Sequence, residues 1–408
     1  MKFSKNQIYK RILILAFIFI HSFGNAISTN DELTLIDAGR SIENKIEIFV
    51  SDAEYRTIKA VDGHKVSPKK AIAIVNGDSI TVKDIHTRGN TSLYFRRKSF
   101  SFNLDSKATF IHGDRTITMK KFDAIGLSMD KSYIRNRLAF ELMEEIQLFD
   151  LFYSFCEIRI NGQSEGIYMI IERPQDWAMK KKNSPLVIRR GYNHNIDKIK
   201  TGKKIDKPEA KNYKNYYKQI YKSLHKYEGE ELYEVLSRWL DMEMYMKWLA
   251  FNFFVRNGDY TDEVYFCIDP VVDKFNIIPW DYDDIFAAAP HEGLEEKIKN
   301  IGGKLIFSSE DLLDQKIATD PYFYEKYLIQ LNKVLTQLSA STLKNVFENT
   351  YSDLYPYYSN GEIIGMSQYD LYKNATIETL QADLDNLFNQ LKVSRISLLR
   401  YLKNEIEK

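Results

Sequence analysis

The chain has 408 residues, 44% of them hydrophobic and 28% charged, the balance of an ordinary globular protein with one large core or two smaller ones. Lysine and arginine number 57 against 56 aspartate and glutamate, so net charge alone gives no reason to expect a polyanion binder. Cys156 and Cys267 each sit inside an apolar, β-like run; two cysteines exclude a disulfide scaffold and any zinc pattern, leaving buried free thiols or one disulfide.

In chain order, Lys2, Lys5, Lys10 and Arg11 precede the apolar run Ile12 to Ile20, and Gly24-Asn25-Ala26 closes it with small residues. This is the order of a secretory signal peptide cut after Ala26. Its apolar run is too short to cross a bilayer comfortably, and no cysteine follows to carry a lipid. The expected mature protein is secreted or periplasmic, without a stable membrane span, and carries 53 basic against 56 acidic residues.

Residues 45 to 120 alternate as strands, in "KIEIFV", "AIAIV", "SITVKDI", "SFSFNL" and "RTITM", punctuated by Asn-Gly and Gly-Asp turns. Ile134, Leu138, Leu142 and Ile146 then recur every four residues, predicting a helix capped by Asp130 or Ser132. "FYSFCEIRI" and "IYMIIE" read as a hairpin around Asn161-Gly162. From Ala178 to Lys226 there are fifteen basic residues against three acidic, interleaved with tyrosines at near-helical spacing. That pattern reads as a solvated helical surface rather than a nucleic-acid site, with a Lys-rich loop over 198–211. Asp241 caps a further helix stopped by Gly258, "VYFCI" and "FNIIP" form two strands, and the chain after residue 310 is helical to its end.

Three stretches carry candidate chemistry. If 264–268 and 275–278 pair as an antiparallel hairpin, its two free termini lie side by side. One terminus carries Asn257, Asp259, Asp262 and Glu263, the other Asp281, Asp283 and Asp284. Like charges converging at one point are costly unless a cation or solvent compensates them. Spacing alone leaves two readings: a Mg²⁺ or Mn²⁺ site for phosphoryl transfer, or a solvated acidic rim. The second stretch, Gly162 to Gly166, matches the G-x-S-x-G pattern at Ser164. An Asn-Gly turn between strands is the wrong context for a nucleophile elbow, so Ser164 is expected exposed at a hairpin tip. In the third, Arg88-Gly89-Asn90-Thr91-Ser92 forms a turn with amides and hydroxyls available to a phosphate.

The ordered series "RGNTS", "RKSFSFNL", "IRNRLAFELMEEI", "EIRINGQSEGIYMIIER", "NGDYTDEVYF" and "NIIPWDYDDIF" resembles the CotH family, spore-coat protein H and its relatives, over about residues 45 to 290. The resemblance implies an atypical protein-kinase-like fold. It puts Asp259 at the catalytic aspartate and Asp281 at the metal-binding aspartate, with Asp283 beside it and Glu263 near the same ion. Arg88, Gly89, Asn90 and Ser92 would face the nucleotide, with Arg97 or Lys98 near its phosphates and Glu141 or Glu172 orienting that basic residue. Asp262-Glu263 departs from the asparagine that relatives carry there.

The expected protein is therefore α+β and two-lobed. A signal peptide (1–26) precedes a β-rich N-terminal lobe (27–175), a C-terminal lobe with the catalytic hairpin (176–310) and a helical extension of that lobe (311–408). Its expected activity is transfer of the γ-phosphoryl group of ATP, with Mg²⁺ or Mn²⁺, to Ser/Thr of an exported or surface protein, with no nucleic-acid partner. The alternative is a non-catalytic surface or adhesion protein on the same fold.

Overall fold

The computed structural model describes residues 32–203, 205–288, 304–308 and 310–406; the expected signal peptide lies outside them. Seven strands come first: β1 (Lys45–Phe49), β2 (Ile72–Val75), β3 (Asp78–Arg88), β4 (Ser99–His112), β5 (Arg115–Ile125), β6 (Tyr153–Ile160) and β7 (Gln163–Ile171). Helix α1 (Asp52–Ile58) follows β1, and α2 (Arg135–Glu145) lies between β5 and β6. The α+β class holds, but the β-rich part is a closed barrel in the order β1-β2-β3-β4-β5-β7-β6, which is not the usual kinase N-terminal lobe. Closure comes from β1, which pairs antiparallel with β2 and parallel with β6. Both ends of β1 are sealed by asparagine amides. Fully buried Asn44 donates to the Ile111 carbonyl at 2.7 Å and accepts from its amide at 3.0 Å, and Asn161 exchanges two 2.9 Å bonds with the Val50 backbone. Backbone groups that would form a bare sheet edge are thereby paired.

The alternation of β4 behaves as its sequence requires. Phe100, Phe102 and Leu104 are at most 1% exposed, and Phe102 stacks on Phe122 with ring centroids 4.8 Å apart. Of the two candidate caps for α2, Asp130 is the one used: its carboxylate accepts from the amides of Arg135 at 2.9 Å and Asn136 at 3.0 Å. Ser164 departs from expectation, being 5% exposed with its Oγ accepting from the Gly166 amide at 3.2 Å. The strand pairing continues past the tip, and residues 361–369 pack over this strand and bury it. No histidine contacts Ser164 among the described residues, so the hydrolase reading has no partner.

Helix α3 (Pro174–Lys181) leads away from the barrel to β8 (Leu186–Arg190), β9 (Ile196–Thr201), α4 (Lys207–Ser223), α5 (Gly229–Ser237), α6 (Met242–Val255), β10 (Val264–Asp269) and β11 (Lys274–Pro279). The strands form a second sheet in the order β11-β10-β8-β9. The expected loop over 198–211 is instead the end of β9 and the start of α4, because Asp206 accepts from the Glu209 amide at 2.8 Å and nucleates the helix early. Both cysteines are free and buried, Cys156 in the barrel and Cys267 in the second sheet.

Helices α7 (Leu312–Thr319), α8 (Pro321–Gln337), α9 (Ala340–Tyr358), α10 (Gly361–Ile364) and α11 (Ile377–Ile406) complete the chain. The last three also pack on the barrel. Arg137 of α2 donates to Asp353 of α9 at 2.8 Å, Arg159 pairs with Glu362 at 2.9 Å, and Lys131 pairs with Asp383 at 2.7 Å. At the centre of this contact Arg97, fully buried, pairs with Asp370 and donates to the carbonyls of Glu165 and Ile167. A buried guanidinium is tolerated only while its counter-charge remains. Asp370→Asn should therefore lower the unfolding free energy by about 3 kcal/mol in urea titrations; an unchanged transition would mean that Arg97 finds solvent or another partner.

Candidate active site

The β10–β11 register pairs Val264 with Pro279, so the acidic segments flanking the hairpin leave it side by side. A second set of contacts fixes them. Helix α6 ends at Arg256 in the left-handed conformation (φ 52°), so Arg256, rather than Gly258, provides the stop. The chain then runs along residues 284–287: the Gly258 amide donates to the Asp284 carbonyl at 3.0 Å, Phe286 to Val255 at 2.8 Å and Ala287 to Arg256 at 3.0 Å. Gly258 has another task. A Cβ there would lie 2.0 Å from Asp284 Oδ2 and 2.9 Å from Ala287 Cβ, so a side chain at this position would have to displace the Asp284 carboxylate and crowd Ala287. Asn257 Oδ1 accepts from the Asp259 amide at 3.1 Å and closes the turn that presents this aspartate.

The electrostatics record the convergence. Burial pushes the Glu263 carboxyl well above its ordinary value; Asp281, Asp262 and Asp259 push the same way, and the Arg189 guanidinium opposes them. Burial also raises Asp281, with Arg88 opposing and Asp259 adding. Asp283 is driven well above the usual carboxylate range by burial and then by Asp281, Asp130 and Asp259. Asp281 itself is exposed to solvent, whereas Asp259, Glu263 and Asp283 are half-buried. Asp281 also adopts φ 54°, a left-handed conformation uncommon outside glycine and tolerated best by Asn and Asp.

Basic groups face these carboxylates from two directions. Arg189 of β8 donates to Glu263 Oε1 at 2.7 Å. Arg88, at the end of β3, lies over the Trp280 ring at 5.8 Å and pairs with Asp123 at 3.5 Å. Immediately after Arg88 comes the expected turn. Gly89 has φ 102°, and a Cβ would meet Ser92 Oγ at 1.9 Å; Asn90 is exposed; Ser92 Oγ bonds back to the Arg88 carbonyl at 3.2 Å. Lys98 is buried beneath the turn, its Nζ donating to the Leu93 carbonyl, and burial lowers its pKa.

The expected carboxylate partner of Lys98 is absent among the described residues. Glu141 pairs with Arg137, one helical turn away, and accepts from Asn349 at 3.3 Å; Glu172 pairs with Lys181 at 3.0 Å. Both are engaged elsewhere because the Lys98 side chain turns back to its own loop. Arg97, its neighbour in sequence, is the structural anchor described above. No group of three or more His, Cys, Asp or Glu among the described residues forms a ready metal cage.

Sequence reasoning missed three participants. Arg189 was hidden in the basic run, although its place at the end of an apolar strand set it apart from the solvated lysines. Asn136 Oδ1 accepts from the Tyr282 amide at 3.1 Å, and Arg135 donates to the Asp283 carbonyl at 2.7 Å, so the start of α2 braces the acidic segment from the barrel side. A recess of about 810 Å³ lined by Lys247, Lys274 and Lys333 adjoins the far end of the hairpin, where Val272 lies, and includes none of the acidic residues of this site.

Fold and site together define an α+β protein with a crowded acidic floor where a barrel meets a helix-backed sheet. The family model described as CotH kinase protein matches residues 85–394, and the chain belongs to that family. It is 23% identical over 308 residues to the inner spore coat protein H of Bacillus subtilis (strain 168), covering 72% of this chain and 81% of that protein. The crystal structure of the Helicobacter pylori proinflammatory kinase CtkA aligns with a TM-score of 0.33 and 11% identity, over 74% of this chain and 95% of that one; so distant a likeness carries no argument.

The raised carboxyl values have a pH consequence. Folding penalises the charged forms, so the associated stability is fully present below the ordinary aspartate value of 3.8 and is lost as the pH rises through the raised value. Asp283→Asn removes one such charge. With chelator present, it should raise the melting temperature at pH 8 by about 2 °C or more and leave it unchanged at pH 3. A lower melting temperature at pH 8 would show that the Asp283 charge is well compensated.

Proposed function

We propose that this chain is a phosphotransferase of two-lobed, kinase-like arrangement that moves the γ-phosphoryl group of ATP to Ser/Thr hydroxyls of an exported or surface protein. The observation that carries the reading is the locking of the Asp259 turn against the 281–284 segment, with Arg88 and its turn reaching in from the barrel. In phosphoryl transfer the protein's main task is positioning and charge compensation, and these are the parts required. Membership of a kinase family supports the same class. The spore-coat location in the relative's name, together with the export signal proposed for residues 1–26, supports an acceptor outside the cytoplasm.

No three of these carboxylates stand together as a cage among the described residues, but Asp281 with Asp283 or Glu263 would supply the one or two carboxylates that a Mg²⁺ or Mn²⁺ ion takes beside waters and phosphates, where their crowded charges are poorly compensated. Such an ion, when bound, neutralises charge on the phosphates. Arg88 and the amides of the 89–92 turn take the remaining phosphate charge, while Lys98 holds that turn from beneath. Asp259 orients the acceptor hydroxyl and takes its proton. The hydroxyl oxygen bonds to the γ-phosphorus as the bond to the β–γ bridging oxygen breaks, releasing ADP.

The non-catalytic surface-binding reading keeps one observation in its favour: Asp262 and Glu263 add negative charge beside the phosphate position, only part of which Arg189 offsets. Two substitutions separate the readings. Asp281→Asn should weaken metal-dependent ATP binding and turnover together. Asp259→Asn should leave ATP affinity within about twofold and lower phosphate incorporation by about 10²-fold or more. Wild-type protein that binds no nucleotide, or incorporation indifferent to Asp259→Asn, would leave the surface-binding reading.

A further inference from the structure

Helix α4 carries five lysines against a single glutamate. Lys207, Lys211, Lys214, Lys218 and Lys222 are spaced four, three, four and four residues apart, so they share one face. Four are exposed and Lys214 is half-exposed. None makes an ion pair among the described residues. Like charges three and four residues apart destabilise a helix, so this face works against the fold that contains it. In a chain balanced at 57 basic and 56 acidic residues, charge has been gathered here rather than merely added.

The opposite face holds the helix in place. Tyr217 packs against Phe266 and Phe275 of the hairpin, with ring centroids at 5.4 and 6.2 Å, and its hydroxyl donates to the His194 carbonyl at 3.1 Å. Tyr221 stacks on His194 at 4.2 Å and donates to Asp311 at 3.2 Å. At this end of the helix lies a recess of about 300 Å³ lined by Lys218, Lys222, His194, His225, Tyr217 and Tyr221 among others, with no carboxylate in its wall. It adjoins the candidate active site through β8. Arg189 and Arg190, immediately before the turn that carries His194, reach Glu263 and the Thr261 carbonyl respectively.

We propose that the lysine face of α4 and the recess at its C-terminal end dock an acidic segment of the acceptor protein, leading its hydroxyl toward Asp259. Naming the occupant as the acceptor rests on the phosphotransferase reading; the binding surface itself does not. Charge complementarity calls for a polyanion, and the packing of the other face of α4 favours an acidic polypeptide over a membrane or a nucleic acid. A membrane-surface helix offers apolar side chains below its lysines for insertion, whereas Ala210, Tyr217, Ile220 and Tyr221 of α4 are buried in the protein. Single-stranded nucleic acid needs exposed aromatic faces for stacking, and here Tyr217 and Tyr221 face the core while Tyr216 is covered by Trp239 at 4.4 Å.

The test is fluorescence anisotropy of a labelled oligoglutamate peptide titrated with the full chain at low salt, without nucleotide or metal. Binding should weaken steeply as salt is added. Lys211→Glu/Lys214→Glu/Lys218→Glu should lower affinity by about tenfold or more, while the matched reversal Lys45→Glu/Lys83→Glu/Lys107→Glu on the barrel should change it by about twofold or less. The α4 substitutions place glutamates near Lys207 and Lys222, which favours the helix, so a loss of binding with an unchanged thermal transition is not a folding defect. Equal losses from the two triple variants would overturn the proposal. So would absent peptide binding alongside capture, through the same lysines, of vesicles containing phosphatidylserine. Intact lysine-dependent peptide binding in a protein that transfers no phosphate would retire the phosphotransferase reading and leave the docking surface standing.

Discussion

Three backbone hydrogen bonds between residues 255–258 and 284–287 set the rest of the candidate site. Each is ordinary in length and alone contributes about 1 kcal/mol. Their effect lies in what they force together. Without them the two ends of the β10–β11 hairpin would splay, and mutual repulsion would drive the carboxylates of Asp259, Glu263, Asp281 and Asp283 into solvent. With them the charges are held on a partly buried floor, at a cost that the packing of α6 and the hairpin has to cover. Gly258 is the narrowest point of this arrangement, because the Asp284 carboxylate occupies the space any side chain would need.

The barrel is tied to that floor by contacts of a different kind. Asn136 and Arg135 reach across with hydrogen bonds to backbone atoms of Tyr282 and Asp283, and Arg88 reaches over Trp280. On the opposite side Arg137, Arg159 and Lys131 bind the three C-terminal helices through Asp353, Glu362 and Asp383, and buried Arg97 pairs with Asp370 in the link between the last two. A buried guanidinium that must keep its partner is a poor source of net stability but a strict constraint on geometry. The C-terminal helices thus fix where the Arg88 turn lies relative to the acidic floor.

The sequence shows the parts of this structure that leave a local period. The alternation of Phe100, Phe102 and Leu104, the four-residue spacing of Leu138 and Leu142, and the strands on either side of Asp269–Lys274 all form as their patterns require. Convergence of the two acidic segments followed from hairpin geometry alone. What stayed hidden depends on contacts distant in sequence. Parallel pairing of β1 with β6 joins segments about 110 residues apart, and no period announces it. Ser164 looked like an exposed tip because the segment that covers it, residues 361–369, is distant in sequence, and Arg97 looked like a phosphate ligand because Asp370, its counter-charge, is 273 residues away. Lys98 lacks either expected glutamate for a simpler reason: its nearest acceptor is the carbonyl of its own turn.

Phosphoryl transfer at this site requires its acidic segments to hold a divalent ion with phosphates. Calorimetric titration of ATP into the purified protein, with Mn²⁺ and then with chelator in its place, measures this most directly. Saturable binding is expected with Mn²⁺ and should weaken by about tenfold or more when the ion is withdrawn, because phosphates and carboxylates then repel one another without compensation. Binding of equal strength in chelator, or none under either condition, would contradict phosphoryl transfer at this site.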